Sequence, residues 1–431
     1  MQFKPYPLYI PCDIHWFNEI PQSWKQVRVE QYLIKKDENI GDLWDSTQLL
    51  SLTQNGIIEK DINDGKGKTH SDYSTYQAID IGDLVFCLFD IDETPRTVGL
   101  STKKGMITSA YTAFKSKENI NTQYVYYFFE SLDDAKALKP YYKGLRKTVR
   151  PPEFLKIHVP FPPKVEQVAI SQFLDTETAR IDTLIAKQEK LIELLEEQRK
   201  SIISHAVTKG LNPNAPMKDS GVEWLGEVPE HWDVKSYRFV SKIYRGKFGH
   251  RPRNDPSLYD GEYPFIQTGD VARAGKYIQT YSQTLNEKGK AVSQVFTSGT
   301  LVMAIAANIG DTAILNFEAY APDSVVGFKP HKNIDLEFLR FSFIASLQAL
   351  EQTAVQSTQA NLNVERIGAL KTTFPPLSEQ IEISNYLNAE NEKNNHLISK
   401  QNQLIEKLKE YRASIISHAV TGKIDVREFG A

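Results

Sequence analysis

FPPKVEQVAISQFL, beginning at Phe161, and FPPLSEQIEISNYL, beginning at Phe374, decide how this chain of 431 residues is organised. They start 213 positions apart, and the match runs without a gap to SIISHAVT at residues 201–208 and 414–421. Of the 48 aligned positions, 27 are identical. Neither copy contains Gly or Pro between residues 165 and 207 or between 378 and 420. In the first, Ile181, Leu184, Leu191, Leu195 and Ile202 recur at spacings of three, four and seven, with Ile185 and Ile192 beside them. In the second, Leu397, Leu404, Leu408, Tyr411 and Ile415 do the same, beside Ile398 and Ile405. Glu, Lys and Gln fill the other face. This is coiled-coil patterning, bounded by Pro-Pro before each copy and by Gly210 and Gly422 after it. At ~1.5 Å per residue each helix would span roughly 65 Å.

A helix that long and amphipathic needs a partner, and the equivalent helix is the natural one. If a pseudo-two-fold axis relates the copies, the helices run antiparallel and hold the segments that precede them at opposite ends of a rod. Leu184, Gln188, Leu191 and Leu195 would form the seam with Leu397, Gln401, Leu404 and Leu408. Gln188 and Gln401 match in position and would face each other to fix register, as buried polar pairs do. Two solvated glutamines is the alternative.

A shorter element also occurs twice. IHWFNEIPQSW ends at Trp24 and VEWLGEVPEHW at Trp232, so four of the five tryptophans belong to it. Each copy is followed by a long segment with little resemblance to its counterpart. The chain therefore divides into a first variable domain (1–160), a first spacer helix (161–210), a linker with a second variable domain (211–373), and a second spacer helix with a C-terminal tail (374–431). Strand-like runs such as DLVFCLF and GTLVMAIAA alternate with helical ones such as TQYVYYFFESLDDAKAL, which predicts α+β or α/β variable domains. Tyr124, Tyr127, Phe128, Phe338, Phe341 and Phe343 read as core.

Composition narrows the function classes. A hydrophobic share of 41% with 11% aromatics excludes a disordered chain. Two cysteines, Cys12 and Cys87, make no disulfide scaffold and no cysteine-rich zinc site. MQFKPYPLYIP does not read as a signal peptide, and no apolar run is long enough to span a bilayer. The expectation is a cytoplasmic protein without a membrane partner. The net charge of −3 is near neutral, but it is unevenly spread. Residues 234–300 hold 11 Lys and Arg against five Asp and Glu, whereas residues 161–208 hold 6 against 8.

The order of these parts, repeated twice, resembles the specificity subunit of type I restriction–modification systems. MKDSGVEWLGEVPEHW (residues 217–232) is similar to the start of a target-recognition domain in that family, and KPYPLYIPCDIHWFNEIPQSW to a degraded version. FPPKVEQ and FPPLSEQ are similar to its P-P-x-x-E-Q helix start, and YPFIQTGDV and AIAANIGDTAIL to common recognition-domain segments. The resemblance spans essentially the whole chain. The N-terminal copy departs from it, with Asp13, His15 and Asn18 in place of the usual Gly, Glu and Gly. The resemblance implies a non-catalytic subunit that reads a split, asymmetric double-stranded DNA target, one half-site per domain. It implies two adenine methyltransferase subunits and ATP-dependent restriction (translocase) subunits as partners. Those partners would bind S-adenosylmethionine, ATP and Mg, and this chain would bind no cofactor. Reading on one DNA face favours half-sites about one turn, ~34 Å, apart.

The residues themselves show no catalytic motif. The Pro-Pro pairs in VRPPEF, FPPK and FPPL lack the acid or amide that an amino-methyltransferase needs before them. There is no Walker A sequence, no HExxH and no paired CxxC, and this predicts no metal site. His205 and His418, at equivalent helix ends, read as structural.

Candidate DNA contacts follow from charge and shape. YRGKFGHRPRND places Arg245, Lys247, Arg251 and Arg253 on a glycine-containing loop that can approach phosphates. YYKGLRKTVRPPEF places Lys143, Arg146, Lys147, Thr148 and Arg150 before the first helix. At the same offset in the second copy stand Gln359, against Arg146, and Asn361, against Thr148. Arg suits guanine edges, and Gln and Asn suit adenine. Gln267, Thr268 and Asn308 lie in loops between apolar runs. A solvated basic loop and turn-capping side chains are the alternatives.

Other functions fit the same residues. The chain could be a stand-alone DNA adenine methyltransferase or restriction enzyme, the specificity part of a simpler two-subunit restriction enzyme, or a coiled-coil adaptor without DNA affinity.

Overall fold

In a computed structural model, the structure describes residues 3–61, 73–145, 147–307, 309–352 and 362–429. The two glycine- and proline-free runs form helices of 46 residues (Lys164–Lys209) and 44 residues (Leu377–Val420). Each ends on a glycine in the left-handed region, Gly210 at φ +79° and Gly422 at φ +73°, which Gly adopts without a Cβ penalty.

The chain folds as two compact units, Met1–Gln188 with Asn402–Ala431, and Glu189–Gln401. Both long helices are cut by this division, so each unit owns one segment of each. The two units contain the two repeats, but neither unit is one continuous copy.

In the first unit, Trp24 shows how the helix segments run. Its Nε1–H donates to Glu166 Oε2 at 2.7 Å, near the start of the first helix. Its ring also meets Gly422, just past the end of the second. Further along, Arg412 Nε donates to Asp182 Oδ1 at 2.9 Å. As numbers rise on one segment they fall on the other, so the segments are antiparallel. Ile170, Phe173, Leu174 and Ile181 share a core with Ile415, Ile416, Ala419 and Val420.

The second unit repeats the arrangement. Trp232 Nε1–H donates to Glu379 Oε2 at 2.9 Å, and its ring meets Gly210. Arg199 Nη2 donates to Asn395 Oδ1 at 2.6 Å. Ile203, Ala206 and Val207 share a core with Ile383 and Leu387. Of the eight seam candidates, Leu184, Gln188, Leu195, Leu397, Gln401 and Leu408 are half-buried. Leu191 and Leu404 are 39% and 41% exposed, and the neighbouring Ile405 is buried instead. Gln188 belongs to the first unit and Gln401 to the second.

The Glu-Gln pair that opens each helix holds two things. Glu takes the tryptophan. Gln167 donates from Nε2 to Pro162 O at 2.9 Å and accepts the Asn121 N–H at 3.0 Å. Gln380 does the same with Pro375 O at 2.8 Å and the Asp335 N–H at 2.8 Å. Asn121 and Asp335 stand just before the helices Thr122–Asp134 and Leu336–Gln352 of the variable domains. The motif thus ties the start of its own helix to the proline pair before it and anchors the domain that precedes it. The six aromatic residues read as core are buried.

The variable domains, so unlike in sequence, share one plan. The first contains a four-stranded sheet in the order Leu33–Lys35, Thr112–Ser116, Leu84–Phe86, Val98–Leu100. The second contains Ser241–Arg245, Val325–Pro330, Leu301–Ala304, Thr312–Ile314 in the corresponding order. A further four-stranded sheet also recurs: Gly56–Lys60, Leu49–Thr53, Gly105–Ile107, Gln77–Ile79 against Gln283–Leu285, Tyr259–Phe265, Ala319–Ala321, Gln294–Phe296. In both, the central pair is parallel and the outer pairs antiparallel. Each domain is thus α+β. Some equivalent buried positions keep their residue, as Leu84 and Leu301 do, but others differ, as Val98, Gly99 and Leu100 do from Thr312, Ala313 and Ile314.

Candidate nucleic-acid interface

In the second unit, the basic loop leaves the strand Ser241–Arg245 and is tied down at each arginine. Arg245 Nε donates to Asp323 O at 2.5 Å, and Arg253 Nη2 donates to both carboxylate oxygens of Asp323 at 2.7 and 2.8 Å. Arg251 Nη1 donates to the carbonyls of Phe248 and His250, each at 2.9 Å. Lys247 is exposed, while its backbone N–H donates to Ala321 O at 3.0 Å. Asp255 lies below the usual carboxylate range because the Ser257 backbone N–H, the Ser257 hydroxyl and then His250 stabilise its charge.

Gln267 and Thr268 stand where the strand Tyr259–Phe265 gives way to the helix Thr268–Arg273. The Gln267 side chain bonds Gln283, and its backbone N–H donates to Asp270 Oδ2 at 2.8 Å. Arg253 and Gln267 line one groove of about 450 Å³, with Asn254, Gln283, Ser324 and Phe248 among the other walls. Three side-chain amides, with Asp260 and the Arg253 guanidinium that Asp323 holds, give this groove donors and acceptors suited to base edges. Gln283 comes from the strand Gln283–Leu285 and Ser324 from the turn before Val325–Pro330, and no spacing in the sequence marks them. Thr268, Lys247 and Arg251 do not line this groove.

In the first unit, Lys143 and Thr148 exchange backbone hydrogen bonds at 3.0 and 3.1 Å, closing a short hairpin. Gly144 (φ 71°) and Lys147 (φ 44°) make its turn, and Leu145 at the tip is fully exposed. Lys143 Nζ pairs with Glu153 at 2.7 Å, and that hydrogen bond holds Glu153 below the ordinary range. Lys147 Nζ lies 3.3 Å from Asp92. Burial pushes the Asp92 carboxyl up, but the Lys147 hydrogen bond and the charges of Lys139 and Lys147 bring it below its usual value. Arg150 is exposed just before the turn Pro151–Phe154. Arg146, Asn308, Gln359 and Asn361 lie outside the described residues.

His205 is exposed, and burial followed by the Lys423 charge holds His418 below its ordinary value. Among the described residues, no three His, Cys, Asp or Glu side chains converge to hold a metal ion, and no helix is long and apolar enough to cross a membrane.

The model of the type I restriction modification DNA specificity domain matches residues 88–194 and 229–407, each match taking in much of one variable domain and a stretch of the long helix that follows. The chain belongs to this family. Among its relatives is the type I restriction enzyme MjaVIII specificity subunit of Methanocaldococcus jannaschii, 25% identical over 340 residues, covering 75% of this chain and 76% of the relative. The type I restriction enzyme EcoKI specificity subunit of Escherichia coli is 23% identical over 247 residues, 54% of this chain and 51% of that one. Among solved structures, a chain from work on complex assembly and conformational transition of the type I R-M system has a TM-score of 0.70 at 14% identity, covering 94% of this chain and 99% of its own. The HsdS subunit from Thermoanaerobacter tengcongensis has a TM-score of 0.53 at 15% identity, covering 96% and 100%. At these identities the structural likeness is one of fold.

Proposed function

We propose that this specificity-family chain reads a bipartite, asymmetric DNA target in a type I restriction–modification complex, one half-site per variable domain. In this reading it is non-catalytic and cytoplasmic. It carries two methyltransferase subunits and restriction (translocase) subunits, which bind the S-adenosylmethionine, ATP and Mg. The observation that carries the reading is the doubled plan. Two domains of one topology, each anchored through the same Glu-Gln pair, present different side chains on their connecting loops. Equal anchoring with unequal loops is what two different half-sites require. The continuous helices between the anchors set the unread gap.

The bipartite reading is tested by exchanging residues 25–160 for the corresponding segment of another family member and mapping methylated adenines in cells carrying the partner subunits. One half of the target changes and the other stays. Loss or change of both halves together defeats the reading. Duplex-DNA affinity of the complex falls steeply as salt rises, since phosphate contacts release counterions. A flat salt response favours the adaptor alternative. Methylation by the purified chain alone favours a stand-alone enzyme. Gln267→Ala, which alters a groove side chain, weakens one half-site only.

A further inference from the structure

The two tryptophan clasps are built alike but covered differently. In the first unit, Tyr6 donates its hydroxyl to Glu166 Oε2 at 3.0 Å, sharing that oxygen with Trp24. Its ring stands edge-on to Trp24 with centroids 5.9 Å apart, and the Arg427 guanidinium lies over it at 4.9 Å. Glu166 is left 6% exposed.

The register of the second clasp is set by equivalent hydrogen bonds. Gln22 N–H donates to Leu8 O at 3.0 Å, and Glu230 N–H donates to Pro216 O at 2.8 Å. The strand pair Tyr9 with Pro21 is matched by Met217 with Pro229. The same shift puts Asn214 in the place of Tyr6, and Asn214 is exposed. A pocket of about 300 Å³ opens there, lined by Gly210, Leu211, Trp232, Glu379, Glu382 and Ile383 among others. The Glu379 side chain is 36% exposed. Its Oε2 accepts from Trp232, and Oε1 lies 2.8 Å from His231 Nε2. That volume is at the small end of ligand sites and suits one aromatic side chain.

We propose that this pocket receives a tyrosine side chain from a partner protein, its hydroxyl donating to Glu379 and its ring edge-on to Trp232, as Tyr6 stands on Glu166 and Trp24. A carboxylate held by an indole N–H keeps lone pairs for an O–H donor, so tyrosine is favoured over phenylalanine. Lys209 also lines the pocket, but its Nζ donates to the carbonyls of Leu225 and Glu227, so Glu379 and Glu382 favour a basic residue beside that tyrosine, the part Arg427 plays over Tyr6. The proposal stands apart from the DNA reading and does not depend on it.

The probe is the peptide FKPYPLYIP, this chain's own residues 3–11, added to the full chain. It binds saturably. With p-benzoylphenylalanine in place of its first tyrosine, it photo-crosslinks to residues 209–232 and 379–383. Phenylalanine at that position weakens binding roughly tenfold, the worth of one hydrogen bond to a carboxylate, and Glu379→Gln does much the same. Asn214→Tyr, at an exposed position, fills the pocket from within and abolishes peptide binding while DNA affinity is unchanged. Absence of saturable binding, crosslinks elsewhere, or undiminished binding to the Asn214→Tyr variant overturns the proposal. A dimer of the chain that Asn214→Tyr dissolves also overturns it, since the occupant is then Tyr6 of a second copy.

Discussion

Arg412 in the first unit and Arg199 in the second occupy matching positions of the repeat, yet they face different partners. Arg412 meets Asp182 at 2.9 Å and Glu130 at 3.4 Å. Arg199 meets Asn395, the residue matching Asp182, at 2.6 Å. Glu130 is buried, which pushes its carboxyl up, while Arg412 and Arg96 pull it back. The clasps differ in the same sense, with Glu166 enclosed under Tyr6 and Glu379 open. Conserved helix ends therefore fix where the variable domains attach, while the polar groups around them are free to diverge. The first unit spends more of its interior on charge, and its charged groups are more dependent on one another.

The comparison is broken first at the tryptophans. Trp24 and Trp232 are 2% and 1% exposed, so Trp24→Ala and Trp232→Ala should each cost about 3–5 kcal/mol. Hydrogen exchange should place each loss in its own unit, and a loss spread over both would deny their separateness. Next come the arginines. Arg412→Met leaves Glu130 buried with reduced compensation and should cost about 3 kcal/mol in denaturant unfolding. Arg199→Met removes a bond to a neutral amide and should cost about 1 kcal/mol. Equal losses would remove the contrast. Glu166→Gln weakens two buried bonds and should cost about 2 kcal/mol, against under about 1 kcal/mol for the more exposed Glu379→Gln.

The smallest expected effect is on pH dependence. Burial raises Tyr32 and Tyr124 well above 10.0, and in the second unit raises Tyr237 to about 12. Burial also raises Tyr127, in the first unit, to about 12. A raised tyrosine keeps its proton when folded and loses it near 10.0 when unfolded, so the unfolded state binds fewer protons above that pH. The stability contribution is whole below pH 9 and falls as pH climbs, by about 0.4 kcal/mol per tyrosine at pH 10. Alkaline titration followed by hydrogen exchange should open the first unit before the second.

The scaffold was legible because its signals are local: a proline pair, a glycine-free run with an apolar period, and a closing glycine. The Glu-Gln pair was visible as a motif, but its grip on Trp24 and Asn121 was not, because those partners lie far away along the chain. The common plan of the variable domains was hidden, since equivalent strands such as Val98–Leu100 and Thr312–Ile314 share burial and not identity. At the candidate interface, composition pointed to the basic loop. It gave no sign that Asp323 ties Arg245 and Arg253, or that Gln283 joins Gln267. Loop geometry made those pairs, and no period in the sequence records it.

The Asp425 N–H donates to Lys4 O at 2.8 Å, so the segment after the second long helix meets the segment around Lys4 within the first unit. Each unit also borrows a helical segment from the other repeat. A gene cut between the repeats would therefore yield two fragments, neither holding a whole interior, that must find one another before either is stable.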